Sequence, residues 1–100
     1  MSYIDTMDPE KVEKNLDILR GRNWQTIGSR NWLTEAGGDE KYALWLALCD
    51  QKMMRLIGLG IFDITDWAWA DNYEAGTSPA EAAKEALMSD DTYAALFGGE

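Results

Sequence analysis

The sequence predicts an all-α fold of four to six helices packed as one compact domain over residues 1–100. Three observations predict it. Both prolines of the chain stand directly after a side chain suited to capping a helix, in Asp8-Pro9 and Ser78-Pro79. Apolar residues recur at helical spacing. A chain of 100 residues with 46% hydrophobic composition has enough apolar material for one core.

The first helix starts at Pro9, carries Val12, Leu16 and Leu19 as a narrow apolar stripe, and ends near Gly21. Residues 22–38 read as a short helix capped by Ser29 and ending at Gly37, with a turn-rich loop or small hairpin as the alternatives. Arg-Asn-Trp occurs there twice, at Arg22 and at Arg30, which is too little for a repeat architecture. The longest helix spans about Asp39 to Ile57. Placing its residues at 100° intervals gathers Trp45, Leu56, Cys49, Tyr42, Met53, Leu46, Ile57, Ala43, Met54 and Ala47 into an arc of about 200°. An arc so wide belongs to a central helix with several neighbours, and leaves Lys41, Lys52 and Arg55 at the solvent edge. Gly58 ends it.

Residues 61–76 form the next predicted helix, with Asp63 as N-cap and Gly76 just past its end. Ser78-Pro79-Ala80-Glu81 then starts another with a capping box, burying Ala82, Ala83, Ala86 and Leu87. A last short helix is expected from about Asp91 to Phe97.

Composition narrows the chemistry. The chain has no histidine, which removes Ser-His and Cys-His nucleophile pairs and the commonest zinc ligand. Its single cysteine, Cys49, forbids an internal disulfide and favours a reducing compartment. Cys49 falls within the apolar arc of the long helix, where a thiol is inert. The longest apolar run, Tyr42 to Cys49, has eight residues against about 20 needed to cross a bilayer. The N-terminus lacks the basic and apolar segments of a secretory signal. A cytoplasmic protein is expected, without cofactor or metal and without membrane contact.

Charge is unevenly placed. Residues 1–55 hold nine acids and eight bases, whereas residues 56–100 hold nine acids and only Lys84, so the formal charges are −1 and −8. On a continuous helix over 61–76, Asp63, Asp66, Asp71 and Glu74 fall within about 140° of one another, with Trp67 inside the sector and Phe62, Trp69 and Tyr73 along one margin. Such a face is either plainly solvated or an interface for a basic partner, with Trp67 as the anchor. Glu81 and Glu85 extend it onto the next helix. The spacing does not match a calcium-binding loop, and a helix this acidic repels the major groove. The bases Lys11, Lys14, Arg20, Arg22 and Arg30, interleaved with Trp24 and Trp32, stand among Glu10, Glu13 and Asp17, which read as their helical partners. Direct nucleic-acid binding is therefore not expected. Asp50 is the odd carboxylate, placed inside the apolar arc. Its readings are a hydrogen bond to a Trp indole, a helix amide or an arginine, a catalytic role, or an exposed position.

The segment DWAWADNYEAGTSPAEAAKEAL resembles a pattern of short acidic proteins from phages and other mobile elements. The shared shape is an aromatic–acidic helix followed by Y-x-x-G-x-S-P-x-E-A-A-x-x-A-L, carried here by Tyr73, Gly76, Ser78, Pro79, Glu81, Ala82, Ala83, Ala86 and Leu87. The resemblance implies an origin in a phage or mobile element more than an activity. Small phage proteins of this size and charge are often stoichiometric inhibitors of host machines, and anti-CRISPR and anti-restriction proteins include acidic examples. From these readings the expectation is a non-enzymatic protein. Its face of Asp63, Asp66, Trp67, Asp71, Glu74, Glu81 and Glu85 docks on a basic surface of a larger host protein or ribonucleoprotein. The alternative is a homo-oligomeric accessory phage protein with an interface centred on Trp67 or on the Trp24/Trp32 region.

Overall fold

A computed structural model describes residues 2–26, 30–63 and 67–89. Within them the chain is helical and contains no strand, as the sequence predicts. Five α-helices follow a short 3-10 turn at Tyr3–Thr6: α1 (Pro9–Gly21), α2 (Trp32–Glu35), α3 (Glu40–Ile57), α4 (Trp69–Glu74) and α5 (Pro79–Ser89), with a second 3-10 turn at Ile61–Asp63.

Caps fix most boundaries. The Asp8 carboxylate accepts from the Glu10 amide (3.0 Å), satisfying a donor the first turn of α1 would leave unpaired. Asp39 accepts from both Lys41 and Tyr42 at the start of α3 (3.0 and 3.1 Å). The Ser78 hydroxyl accepts from the Glu81 amide to begin α5. The helix predicted over residues 91–97 lies outside the described residues.

The two Arg-Asn-Trp copies do opposite work. Asn23 takes a left-handed backbone (φ 54°) just beyond α1 and donates to the Arg20 carbonyl, while Trp24 donates to that of Leu19. This pair of bonds closes the helix in a Schellman motif. The second copy starts a helix: the Asn31 side chain accepts from the Thr34 amide (3.0 Å) to cap α2. The copies also hold each other, since Asn31 Nδ2 donates to the Asn23 carbonyl (2.9 Å) and the Trp32 amide to that of Trp24 (2.7 Å). An isolated antiparallel bridge joins Gln25 and Asn31. The predicted short helix is thus present but begins later, at Trp32, and its cap is Asn31; Ser29 lies outside the described residues. The backbone pairing of residues 24–26 with 30–32 consumes the stretch that the longer helix would have used.

α3 is the centre, packed by the other four helices and by both 3-10 turns. Its first half is enclosed on nearly every side: Ala43, Leu44, Trp45 and Leu46 are all buried in succession. Its last turns are covered on one side only, so Leu56 is 48% and Met54 39% exposed. The uniform arc expected for this helix therefore fails at its C-terminal end, where neighbours run out. Trp45 is fully buried and anchors the aromatic cluster, edge-on to Tyr73 (5.6 Å) and Trp69 (6.2 Å). Its indole nitrogen donates to the Thr77 carbonyl (3.0 Å), which ties the α4–α5 junction to the core. That junction turns at Gly76 (φ 82°), a left-handed conformation costly for any side chain with a Cβ.

The continuous helix predicted for residues 61–76 is not formed. Ile61–Asp63 make a single 3-10 turn, and α4 begins only at Trp69. At Ala68 (φ −78°, ψ 62°) the chain makes an inverse γ-turn, with the Trp69 amide donating to the Trp67 carbonyl (2.8 Å). Asp63 is not a helix cap. Its carboxylate turns back to accept from the Gly60 amide (2.9 Å).

Candidate acidic face and its surroundings

The broken helix redistributes the carboxylates. Asp71 and Glu74 lie exposed on α4, whose Trp69 and Tyr73, four residues apart, point the other way onto Trp45 and Tyr42. Tyr42 and Tyr73 stack at 4.8 Å. Burial pushes the Tyr42 phenol above its ordinary pKa, and the negative charges of Asp71 and Glu74 push it further. Those two α4 carboxylates thus bear on the aromatic cluster from its outer side.

Asp63 is exposed, with one oxygen committed to the Gly60 amide. Glu81 and Glu85 are exposed along one margin of α5. Trp67 is half-buried against the core, and its indole N–H is buried without a hydrogen-bond partner among the described residues. Asp66 lies outside the described residues. Of the expected face, Asp71 and Glu74 share α4, Glu81 and Glu85 share α5, and Asp63 sits apart on the 3-10 turn. Trp24 and Trp32, at the centre of the other expected interface region, are buried.

Asp50 resolves into one of its readings, a bond to a backbone amide. Its Oδ1 accepts from the Ile61 amide (2.8 Å), pinning the turn that follows α3. Desolvation raises its pKa, the Ile61 bond opposes that shift, and the nearby Asp63 charge adds to it. A Cβ at Gly60 would collide with the Asp50 carboxylate, so the absence of a side chain at position 60 is what lets the two segments meet. Pairing Asp50 with Asp63 across Gly60 had no local sequence signal, because it depends on the turn after α3 folding back.

Ion pairing divides the molecule. Arg20 meets Glu40 (2.6 Å), Asp17 (2.9 Å) and Glu13 (3.7 Å); Arg30 meets Glu35 (3.3 Å); Lys41 meets Asp5 (3.2 Å). These are all the ion pairs among the described residues, and every one lies between Asp5 and Lys41. Arg30 also covers the Phe62 ring at 4.5 Å, and Phe62 in turn packs on Trp32 (5.5 Å), away from the α4 aromatics. The hydrogen bond with Arg20 draws the Glu40 carboxyl below its ordinary range, and Lys41 and Ser2 do the same for Asp5. Cys49 is buried, and desolvation followed by the Asp50 charge raises its pKa, which suppresses the thiolate. Among the described residues no group of three or more acidic or sulfur ligands could hold a metal, and no helix is long and apolar enough to cross a membrane.

No protein-family model and no solved structure matches the chain. Two curated relatives do. The Gene 87 protein of Mycobacterium phage D29 is 37% identical over 49 residues, which is 49% of this chain and 91% of the relative. The Gene 87 protein of Mycobacterium phage L5 is 39% identical over 46 residues, 46% of this chain and 87% of the relative. Nearly the whole of each relative is thus covered by about half of this chain, and on that similarity the chain belongs to the phage protein family of the mycobacteriophage Gene 87 proteins.

Proposed function

We propose that this phage protein is a non-enzymatic binding module whose acidic C-terminal half docks on a basic surface of a larger host protein or ribonucleoprotein. The observation that carries the reading is the set of exposed carboxylates on α4 and α5, Asp71, Glu74, Glu81 and Glu85, which hold no ion pair among the described residues. Left without internal cations, such a face gains most from a partner that supplies them, and the local field speeds the encounter. In its most concrete form the module is a stoichiometric inhibitor of a nucleic-acid-handling defence complex such as CRISPR-Cas. Carboxylates there take the place of phosphates on Lys/Arg rows.

The test is affinity capture from host lysate at low and high salt, with wild type and Asp71→Lys/Glu74→Lys side by side. The reading expects one larger partner, captured by wild type at low salt and lost on raising salt or reversing the two charges. Capture indifferent to both would overturn it.

A further inference from the structure

The described residues also contain a surface of the opposite character. Between the last turns of α3 and one flank of α5 runs a groove of about 350 Å³, lined by Lys52, Arg55, Leu56, Ala80, Lys84 and Leu87. The floor is apolar: Leu56 is 48% exposed at its edge, and Leu87 closes it from below. Lys52, Arg55 and Leu56 stand at i, i+3 and i+4 on α3, while Ala80, Lys84 and Leu87 stand at i, i+4 and i+7 on α5. Each helix therefore offers one continuous edge. Glu81 and Glu85 fall on the other margin of α5.

The three cations are what set the groove apart. On a chain of net charge −9, whose residues 56–100 contain a single base, Lys84, that base has been placed beside Lys52 and Arg55. None of the three forms an ion pair among the described residues, as is also true of Lys11, Lys14 and Arg22, but Lys52, Arg55 and Lys84 are gathered around one groove. Cations on both banks of an apolar floor match an occupant that is apolar on one side and anionic along its edges. Nucleic acid and anionic membranes fit badly, because each must bring many negative charges close to a chain of −9. An acidic amphipathic helix brings few charges and a ridge of apolar side chains, and two parallel helix edges form a trough for such a ridge.

We propose that the α3–α5 groove is a docking site for an acidic amphipathic helix of a partner protein. Apolar residues of that helix lie on Leu56 and Leu87, and its carboxylates meet Lys52, Arg55 and Lys84. The proposal is independent of the acidic face.

The full chain is titrated with a synthetic helix of about four turns, with Leu on one face and Glu on its flanks, and with the same peptide carrying Lys for Glu. Binding is followed by calorimetry and by methyl NMR. The Glu peptide is expected to bind with its largest shifts at the Leu56 and Leu87 methyls, and the Lys peptide at least about tenfold more weakly. Lys84→Glu and Arg55→Glu should each weaken the Glu peptide about fivefold or more, while Glu81→Lys changes it by less than about twofold. All these positions are solvent-exposed, so the variants retain the fold. Equal binding of both peptides, no binding, or shifts centred elsewhere would overturn the proposal. It would also fail if the free chain showed contacts from these methyls to Tyr93 or Phe97, meaning its own C-terminal segment fills the groove. Concentration-dependent shifts there without peptide would overturn it in favour of a second copy.

Discussion

The stretch from Asp5 to Lys41 and the stretch from Gly58 to Ser89 use their carboxylates in different ways. In the first, Asp5, Glu13, Asp17, Glu35 and Glu40 each face a lysine or arginine, three of them sharing Arg20, and the stretch as a whole sets six bases against eight acids. In the second, Asp63 bonds to a backbone amide and the exposed acids of α4 and α5 face water. Net charge alone does not separate a neutral surface from a charged one. What separates them is which acids the fold has already neutralised. Surface pairs of the first kind add little stability each, so the N-terminal region is set apart by its weaker net field rather than by its rigidity.

Trp45 is where the two regions are joined, and its loss should have the largest effect. Trp45→Ala empties a fully buried site and removes the bond to the Thr77 carbonyl. It should cost about 3–5 kcal/mol in denaturant unfolding. Trp45→Phe, which keeps a ring but leaves that carbonyl without its donor, should cost about 1–3 kcal/mol. If the α4 signals melted with the rest of the chain in wild type and separately in Trp45→Ala, the joint would be located.

The turn after α3 comes next. Asp50→Ala strands the Ile61 amide and should cost about 1–3 kcal/mol. Gly60→Ala drives a methyl into the Asp50 carboxylate and should cost a similar amount, about 1–3 kcal/mol. The two changes are coupled, because removing the carboxylate makes room for the methyl. The double variant should therefore lose less than the sum, by about 0.5 kcal/mol or more. Strict additivity would show that the two groups do not meet.

Acid titration sharpens the contrast between the regions. Asp5 and Glu40 have depressed pKa values in the fold, so their contribution is complete above the unfolded value of about 4 and is lost as pH falls through their lower folded values. Asp50 is raised, so its contribution has the opposite sign. Stabilisation linked to its protonation is present below its unfolded pKa and is lost as pH rises through the folded one. Thermal midpoints measured downward from pH 7 should first rise and then fall below about pH 4. Asp50→Asn should flatten the first part and leave the second.

The sequence made legible whatever is decided within a few residues. Asp8-Pro9, Asp39 and Ser78-Pro79 start helices because the cap and the amide it satisfies are neighbours. The small face of α5 was readable for the same reason. Residues 61–76 were not, since their acids and aromatics fit a helical period while Asp63 takes the Gly60 amide and Ala68 makes a γ-turn. The Arg-Asn-Trp copies show the limit most clearly. One tripeptide ends α1 and starts α2, and only their mutual bonds decide which does which. Of the acidic face, its exposed members on α4 and α5 were legible, whereas the inward packing of Trp67 depended on where the helix broke.

The smallest effect on folding is the most telling about the two regions. Reversing Asp71 and Glu74 to lysine touches exposed side chains without ion pairs among the described residues, and shifts the net charge by four, from −9 to −5. Stability should change by no more than about 0.5 kcal/mol, and in the favourable direction as self-repulsion falls. The Tyr42 phenol, now relieved of two nearby negative charges, should titrate at lower pH in an ultraviolet titration. The same reversal at Glu40 meets the Arg20 guanidinium that the wild-type carboxylate holds at 2.6 Å, so it should lower the thermal midpoint. One chemical change thus carries opposite signs on the two sides of the molecule. Equal losses at both sites would mean that the carboxylates of α4 are as satisfied as those of the N-terminal region, and would leave the acidic face no reason to seek a basic partner.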